Sequence, residues 1–448
     1  MLTLEELNAD VASGAVDTVI IAMCDMQGRL QGKRLHARAF VEGIAEHGAE
    51  GCNYLLAIDV DMNPVPGYAM SSWERGYGDF VFMPDLATLR RIPWLEGTVM
   101  VQCDLLWHDG SPVAASPRQV LRGQLERLAE RGWHAYAGSE LEFILFDETY
   151  DSARAKSWRA LRPANAYNVD YSILGTTMVE PVLRQIRLGM AGAGMLVEDS
   201  KGECNFGQHE VNFRYQEALR MADDHVVYRN GAKEIAFLHG KALTFMPKYD
   251  EREGNSCHIH LSLWEGSESL FPAADGHGMS ELFRQFIAGL VRHTRELTLL
   301  LAPNVNSYKR FVRGSFAPTA LVWGHDNRTC ALRVVGHGKG MRVESRVAGG
   351  DVNPYLAFAA LLAAGLAGID GKYELAAAWA GSGYDAREEP HVPSTLHEAR
   401  ELFAGSALAR DALGDEVVDH YLNAATVELD AFDAAVTDWE LRRSFERL

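Results

Sequence analysis

"GSELEFILF" (residues 138–146) sets two carboxylates, Glu140 and Glu142, into an otherwise apolar run. The alternation of Glu140 and Glu142 with apolar neighbours predicts a β-strand with both acids on one face, about 7 Å apart. A solvated strand face is the plain alternative. Leu141, Phe143, Ile144, Leu145 and Phe146 argue instead for a core strand. An unpaired carboxylate is costly there, so these two call for a cation or a metal.

Three further segments repeat the pattern. "KGECNFGQHEVNFRY" (201–215) carries Glu203 and Glu210 on either side of a turn at Gly207. Acids beside a turn are usually just hydrated, so this pair says little alone. "NSCHIHLSLW" (255–264) puts His258 and His260 on one face of another apolar strand. One such histidine is usually a satisfied core residue; two on a face favour a role in chemistry. "GMRVESRVAGGDVNPYL" (340–356) alternates Arg342, Glu344 and Arg346. That spacing fits either a structural ion-pair ladder or a metal ligand between two anion clamps. Arg310, Arg328 and Arg333 add guanidiniums upstream. Carboxylate-rich ligand sets with little cysteine favour Mg²⁺ or Mn²⁺. Acids together with arginines imply a polyphosphate held between metals and guanidiniums. From the residues alone, the chain reads as a metal-dependent nucleotide enzyme of undefined reaction.

The whole chain agrees with an enzyme. Its 448 residues are enough for two or three domains, and 47% hydrophobic with 23% charged residues is ordinary globular composition. A formal net charge of −18 argues against nucleic acid and against an anionic membrane surface as partners. The six cysteines form no C-x-x-C pair, which disfavours a zinc knuckle, and a reducing cytoplasm is expected. Thr3 and Glu6 form a helix capping-box pattern where a signal peptide would be basic and then apolar. Strands are expected at 18–24, 53–58, 79–83 and 97–103, with a hairpin turn in "DMQGRLQG" (25–32). The turn-rich stretch 108–119 precedes an amphipathic helix at 120–131. A domain boundary is therefore placed near residue 110, giving domains 1–110 and 111–448. Residues 355–369 are too few to span a bilayer comfortably and read as a buried helix, capped by Asn353 with Pro354 in its first turn. The end of the chain, from Leu396, is helical by pattern.

In order and wording these segments resemble the glutamine synthetase family of bacterial class I type. The resemblance includes "GYGDFVFMPDLATL" (76–89), "SELEF", "GQHEVNFRY", "HIHLSL", "SYKRF" (307–311), "DNRT" (326–329), "RVESR" and "NPYLAFAA" (353–360). It implies an α+β protein: a small β-grasp-like domain and a larger catalytic domain whose antiparallel strands line a funnel. It also implies a homo-dodecamer of two stacked hexameric rings, with sites between neighbours. Carried across, one metal would be held by Glu142, Glu203 and Glu210, and a second by Glu140, His258 and Glu344. His260, Arg333 and Arg342 would bind ATP, and Arg328 would clamp the transferring phosphoryl group. Arg310, Arg346 and the Gly254 backbone would hold glutamate. Asp59, in "LLAIDVD", is the candidate for the aspartate that a neighbouring subunit brings near the amine, although the wording around it departs from the family's.

One departure bears on the substrate. Ammonia-using members carry a flap of the form Gly, aromatic, Glu, Ala, Pro, whose Glu binds ammonium and takes its proton. Here the frame reads Gly314-Ser315-Phe316-Ala317-Pro318, and Phe316 does neither. Glu253 and Arg313 also differ from the residues common in the family, Asn and Pro. The expected reaction is therefore ATP-dependent ligation of glutamate to an organic amine such as ethanolamine or a polyamine, through γ-glutamyl phosphate. An ordinary glutamine synthetase and a catalytically inactive nitrogen-regulatory homologue are the alternatives.

Overall fold

The computed structural model describes residues 1–274 and 278–448. The first six strands are β1 (Thr18–Cys24), β2 (Leu30–His36), β3 (Ala49–Cys52), β4 (Asp79–Pro84), β5 (Arg90–Arg91) and β6 (Thr98–Leu106). They form a sheet of order β2-β1-β6-β4-β3, with β5 on β6. β1 and β6 run parallel and the other pairs antiparallel. β1 is buried along almost its whole length, as its unbroken apolar run requires. The hairpin after it turns where the Asp25 carboxylate accepts from the backbone N–H of Gln27 (3.0 Å) and Arg29 (2.8 Å). Gly28 supplies the left-handed φ of +74° at that turn.

One expected strand is absent: residues Asn53–Leu56 form a 3₁₀ helix. The short apolar run there lacks alternation. Its entry is tied down by Asn53, which donates to the Met70 carbonyl (3.3 Å) and accepts from Ser71 Oγ (2.7 Å). The expected helix starts earlier, as Pro117–Ala129, with Pro117 in the first turn.

The second sheet has ten strands: β7 (His134–Phe146), β8 (Val197–Gly202), β9 (Gln208–Phe213), β10 (Gln216–Glu217), β11 (Ala242–Thr244), β12 (Cys257–Glu265), β13 (Glu268–Ser269), β14 (Trp323–His325), β15 (Leu332–Val335) and β16 (Arg342–Ser345). Its order is β14-β15-β16-β12-β7-β9-β8. All its pairs are antiparallel except β14 with β15. The architecture is thus mixed α and β, a smaller N-terminal sheet followed by a larger sheet packed against helices.

The helix Pro354–Asp370 is buried on almost every side and is capped as expected by Asn353, whose Oδ1 accepts from the Tyr355 N–H at 3.2 Å. It meets the helix Glu281–Leu297 at Gly368 and Gly289. A Cβ on Gly289 would lie 2.8 Å from the Gly368 nitrogen and 2.2 Å from the Ala364 oxygen, so only glycine allows this approach. Arg118 ties the first sheet to the helix Ala218–Leu238. Its guanidinium reaches Asp85 (2.7 Å) and Asp104 (2.6 Å) from the first sheet region and Asp223 (2.9 Å) from the helix Ala218–Leu238. Tyr355 Oη donates to the same Asp223 at 2.7 Å. Such a buried arginine is tolerable because several acids surround it. Among the described residues, no helix is long and apolar enough to cross a membrane.

Candidate active site

Cross-strand register turns the separate sequence pairs into one row. Lys201 on β8 lies opposite Glu210 on β9, which lies opposite Glu142 on β7. Two residues along β7, Glu140 faces His258 on β12. Two residues along β12, His260 faces Glu344 on β16, which faces Arg333 on β15. Alternation then keeps the charged side chains of this row on the same sheet face.

Two groups are close enough to share an ion. Glu140, His258 and Glu344 form one, and Glu142, Glu210 and His258 the other; within each, the candidate ligand atoms lie within 4.8 Å of one another. Glu142 is held firmly. Its carboxylate accepts from the Ser256 N–H (2.8 Å), Ser256 Oγ (2.7 Å) and Gln208 Nε2 (3.0 Å). Glu140 lies against both imidazoles, 3.3 Å from His258 Nδ1 and 2.8 Å from His260 Nε2. Burial opposes its ionisation, yet the two histidines hold its carboxyl far below the ordinary range. Burial also works against Glu344, but His258, Arg346 and His260 bring its pKa down to about 2. The other end of the row behaves oppositely. Burial, then Glu140, Glu142 and Glu203, pushes Glu210 well above the ordinary range. Burial and Glu142 push Glu203 up to about 7 against the pull of Lys201. These carboxylates repel one another without a cation between them, and hard oxygens with an imidazole suit Mg²⁺ or Mn²⁺. The residues present fit the metals.

Glu203 is the third carboxylate expected at the ion shared by Glu142 and Glu210. It is turned to Lys201, with which it forms an ion pair, and it groups with Asp170 and Cys204.

A cavity of about 270 Å³ opens over this row. Glu140, Glu142, Glu210 and His258 line it, together with Gly254, Phe316, Arg328 and Arg346. Arg328 is exposed there and makes no ion pair among the described residues. Arg346 is buried, with one nitrogen 2.5 Å from Glu344 and a partnerless Nε. Gly254 is required: a Cβ would lie 2.1 Å from the Pro247 oxygen and 2.6 Å from Arg310 Cγ. Arg310 sits behind Gly254 and does not line the cavity. Its nitrogens donate to the carbonyls of Val347 (2.9 Å) and Arg346 (3.2 Å), and burial lowers its pKa to about 10. It braces the segment that carries Arg346.

Phe316 is half exposed on a loop over the carboxylates, with a left-handed φ of +59°. Arg313 fastens this loop by donating to the Tyr384 carbonyl (2.5 Å) and pairing with Asp385 (2.6 Å). Tyr384 Oη donates to the Ala317 carbonyl at 3.0 Å. Asp59 lies elsewhere in its own chain. Its carboxylate accepts from the N–H groups of Asp61 (2.9 Å) and Asn63 (2.8 Å), and it borders a different recess beside Tyr68 and Glu428.

His260 and Arg342 form the other shoulder of the row: Arg342 Nε donates to His260 Nδ1 at 3.1 Å. Next to them Tyr136, Tyr215 and Trp264 wall an open recess of about 520 Å³. Tyr136 stands edge-on to Tyr215 and to Trp264, at 5.5 and 5.3 Å between ring centres. The sequence reading missed this recess, and it missed Asp170, Tyr171 and Lys201. Lys201 was within reach of a spacing argument, because it lies two residues before Glu203.

The model of the glutamine synthetase catalytic domain matches residues 114–444. The chain is 63% identical over 447 residues to the γ-glutamylethanolamide synthetase GlnA4 of Streptomyces coelicolor, covering 100% of this chain and 96% of that one. It is 36% identical over 434 residues to a glutamate–isopropylamine ligase of a Pseudomonas species, covering 96% and 95%. The solved GmaS/ADP complex superposes with a TM-score of 0.86 at 28% identity, over 98% of this chain and 99% of that one.

Proposed function

The chain belongs to the glutamine synthetase family, and we propose that it is an ATP-dependent ligase joining the γ-carboxylate of L-glutamate to a small organic amine, with ethanolamine the leading substrate. The observation that carries this reading is Phe316. It lines the carboxylate cavity at the flap position where the family resemblance would place a proton-accepting glutamate. The identity to a γ-glutamylethanolamide synthetase supports the same choice of amine.

The reaction has two steps. A γ-carboxylate oxygen of glutamate attacks the terminal phosphorus of ATP, and the bond to ADP breaks. The amine nitrogen then attacks the acyl carbon, phosphate leaves, and the nitrogen loses a proton. Arg346 and the Gly254 backbone orient glutamate, and Arg310 holds Arg346's segment in place. Arg328 meets the transferring phosphoryl group. His260, Arg333 and Arg342 face the nucleotide phosphates, and the Tyr136–Tyr215–Trp264 recess takes the base by stacking. Glu140, Glu142, Glu210, His258 and Glu344, with Glu203 beside them, would hold two or three Mg²⁺ or Mn²⁺. Those ions would supply neutralisation of the phosphate charge.

Phosphate release with glutamate, ATP and a panel of amines tests the reading. Ethanolamine should exceed ammonium in kcat/KM by roughly tenfold or more. Two methylenes packed on Phe316 are worth about 1.6 kcal/mol, and about 1.4 kcal/mol is a factor of ten. A preference for ammonium would make the chain an ordinary glutamine synthetase. No release with any amine would favour the regulatory homologue.

The same reading carries assembly into stacked hexameric rings, in which Asp59 of a neighbour would approach the cavity. Large apolar side chains left uncovered in the single chain support it: Trp73 is 79% exposed, Ile173 81% and Leu174 64%. Light scattering should give about twelve times the chain mass. A monomer under active conditions would remove both the ring and the role for Asp59.

A further inference from the structure

Phe316 has little of its own to hold it over the cavity. It is 52% exposed, so packing does not fix it. Its φ of +59° is one that side-chain-bearing residues seldom adopt. The restraint comes from Gly383–Asp385, a single 3₁₀ turn. Arg313 donates to the Tyr384 carbonyl and to the Asp385 carboxylate, and Tyr384 Oη donates to the Ala317 carbonyl. These bonds bracket Phe316 on both sides along the chain. Proline, the residue common at 313 in the family, would form none of the Arg313 bonds.

The same turn is bound to the segment that carries Arg328. The Gly383 N–H donates to Thr329 Oγ1 at 2.7 Å, and that hydroxyl donates to Asn327 Oδ1 at 2.7 Å. Asn327 Nδ2 donates to the Gly381 carbonyl at 2.8 Å. The approach is close: a Cβ on Gly383 would lie 2.4 Å from the Thr329 carbonyl oxygen. Arg328, between Asn327 and Thr329, lines the same cavity as Phe316. We infer that Arg313 and Tyr384 are positioning residues for the amine. They latch the Phe316 loop to residues 381–385, which also brace the Arg328 segment, so one anchor holds the amine side and the phosphoryl-transfer side of the cavity.

The inference rests on the amine-ligase reading and deepens it. With the latch cut, the strained backbone at Phe316 relaxes, and nothing keeps the half-exposed ring over the cavity. An organic amine then loses the contact between its methylenes and the ring, a contact that ammonium never makes. Its KM rises, while turnover at saturating amine changes little, as when binding common to ground and transition states is removed. The effects are modest, because Arg313 and Asp385 are each 59% exposed and their ion pair holds little by itself.

The test is steady-state kinetics with ethanolamine and with ammonium in the wild type, Arg313→Gln and Tyr384→Phe. Each variant should raise the ethanolamine KM about fivefold, the order of one lost hydrogen bond or exposed ion pair, with kcat within about twofold and the ammonium KM nearly unchanged. In a Phe316→Ala background the same substitutions should add nothing, because no ring is left to position. An unchanged ethanolamine KM, an equal shift for both substrates, or a full shift in the Phe316→Ala background overturns the inference. Thr329→Val, which removes the hydroxyl that Gly383 bonds, should also raise the ethanolamine KM. An unchanged ethanolamine KM in that variant overturns the shared anchor. Hydrogen exchange at residues 312–317 needs no turnover. It should quicken in Arg313→Gln and Tyr384→Phe, and unchanged exchange overturns the latch whether or not the chain is a ligase. Failure of the ligase reading shows separately, as absence of amine-dependent phosphate release by the wild type.

Discussion

Glu142→Ala is expected to lower phosphate release by about a thousandfold or more while leaving the chain folded. The side chain is 6% exposed and accepts three hydrogen bonds, two of them from Ser256, so its oxygens are fixed before anything binds. It stands in register with Glu210 and shares a possible ion with Glu210 and His258. Removing it takes away one hard oxygen and leaves developing phosphate charge uncompensated. A loss of about 4 kcal/mol of transition-state stabilisation corresponds to about three decades in rate. Folding should survive, because in the metal-free chain this carboxylate adds to the like charge that raises Glu210 and Glu203. Two measurements check the claim: steady-state phosphate release, and the rise in melting temperature on adding Mn²⁺. The wild type should show a metal-induced rise that the variant loses. Activity within a few-fold of wild type would remove Glu142 from the metal assignment. Glu344→Ala separates metal binding from clamping, since Glu344 also pairs with Arg333 (2.9 Å) and Arg346 (2.5 Å).

Phe316→Glu should move the enzyme toward ammonium. With ethanolamine its kcat/KM should fall roughly tenfold, as the methylene contacts go. With ammonium it should rise by a similar factor, because a carboxylate over the cavity both attracts the cation and accepts its proton. The substitution is backbone-neutral, since phenylalanine and glutamate both carry the strain of a φ of +59°. The loop should hold its place, because its anchors are Arg313 to Asp385 and Tyr384 to Ala317, none of which involves the ring. In the wild type the departing proton has no acceptor on Phe316. The rate with ethanolamine should therefore climb with pH toward the pKa of the free amine, and the variant should flatten that climb. Kinetics of both proteins with both amines across pH decide the matter. A wild type that already prefers ammonium would overturn the role given to Phe316.

Much of the fold was legible because it depends on local rules. The capping box at Thr3 and Glu6, the Asn353 cap, the β1–β2 hairpin and the strand around Glu140 all follow from residues within a few positions of one another. The failure at 53–58 has the same origin. A short apolar run does not state its own period, and Asn53's side-chain bonds to Met70 and Ser71 decided for a 3₁₀ turn.

By itself the sequence determined which residues carry charge on which strand face, because alternation is a property of one strand's backbone. It also determined the family frame in which Phe316 stands out. Only the tertiary structure decided who meets whom. The row from Lys201 to Arg333 exists because β8, β9, β7, β12, β16 and β15 pair in that order, with Glu142 opposite Glu210 and His258 opposite Glu140. Shifting one strand by a residue would turn its acids to the other face. The same long-range packing put Arg310 behind Gly254. A buried charge takes the compensating partner that the folded backbone brings within reach, and sequence spacing alone does not specify that partner.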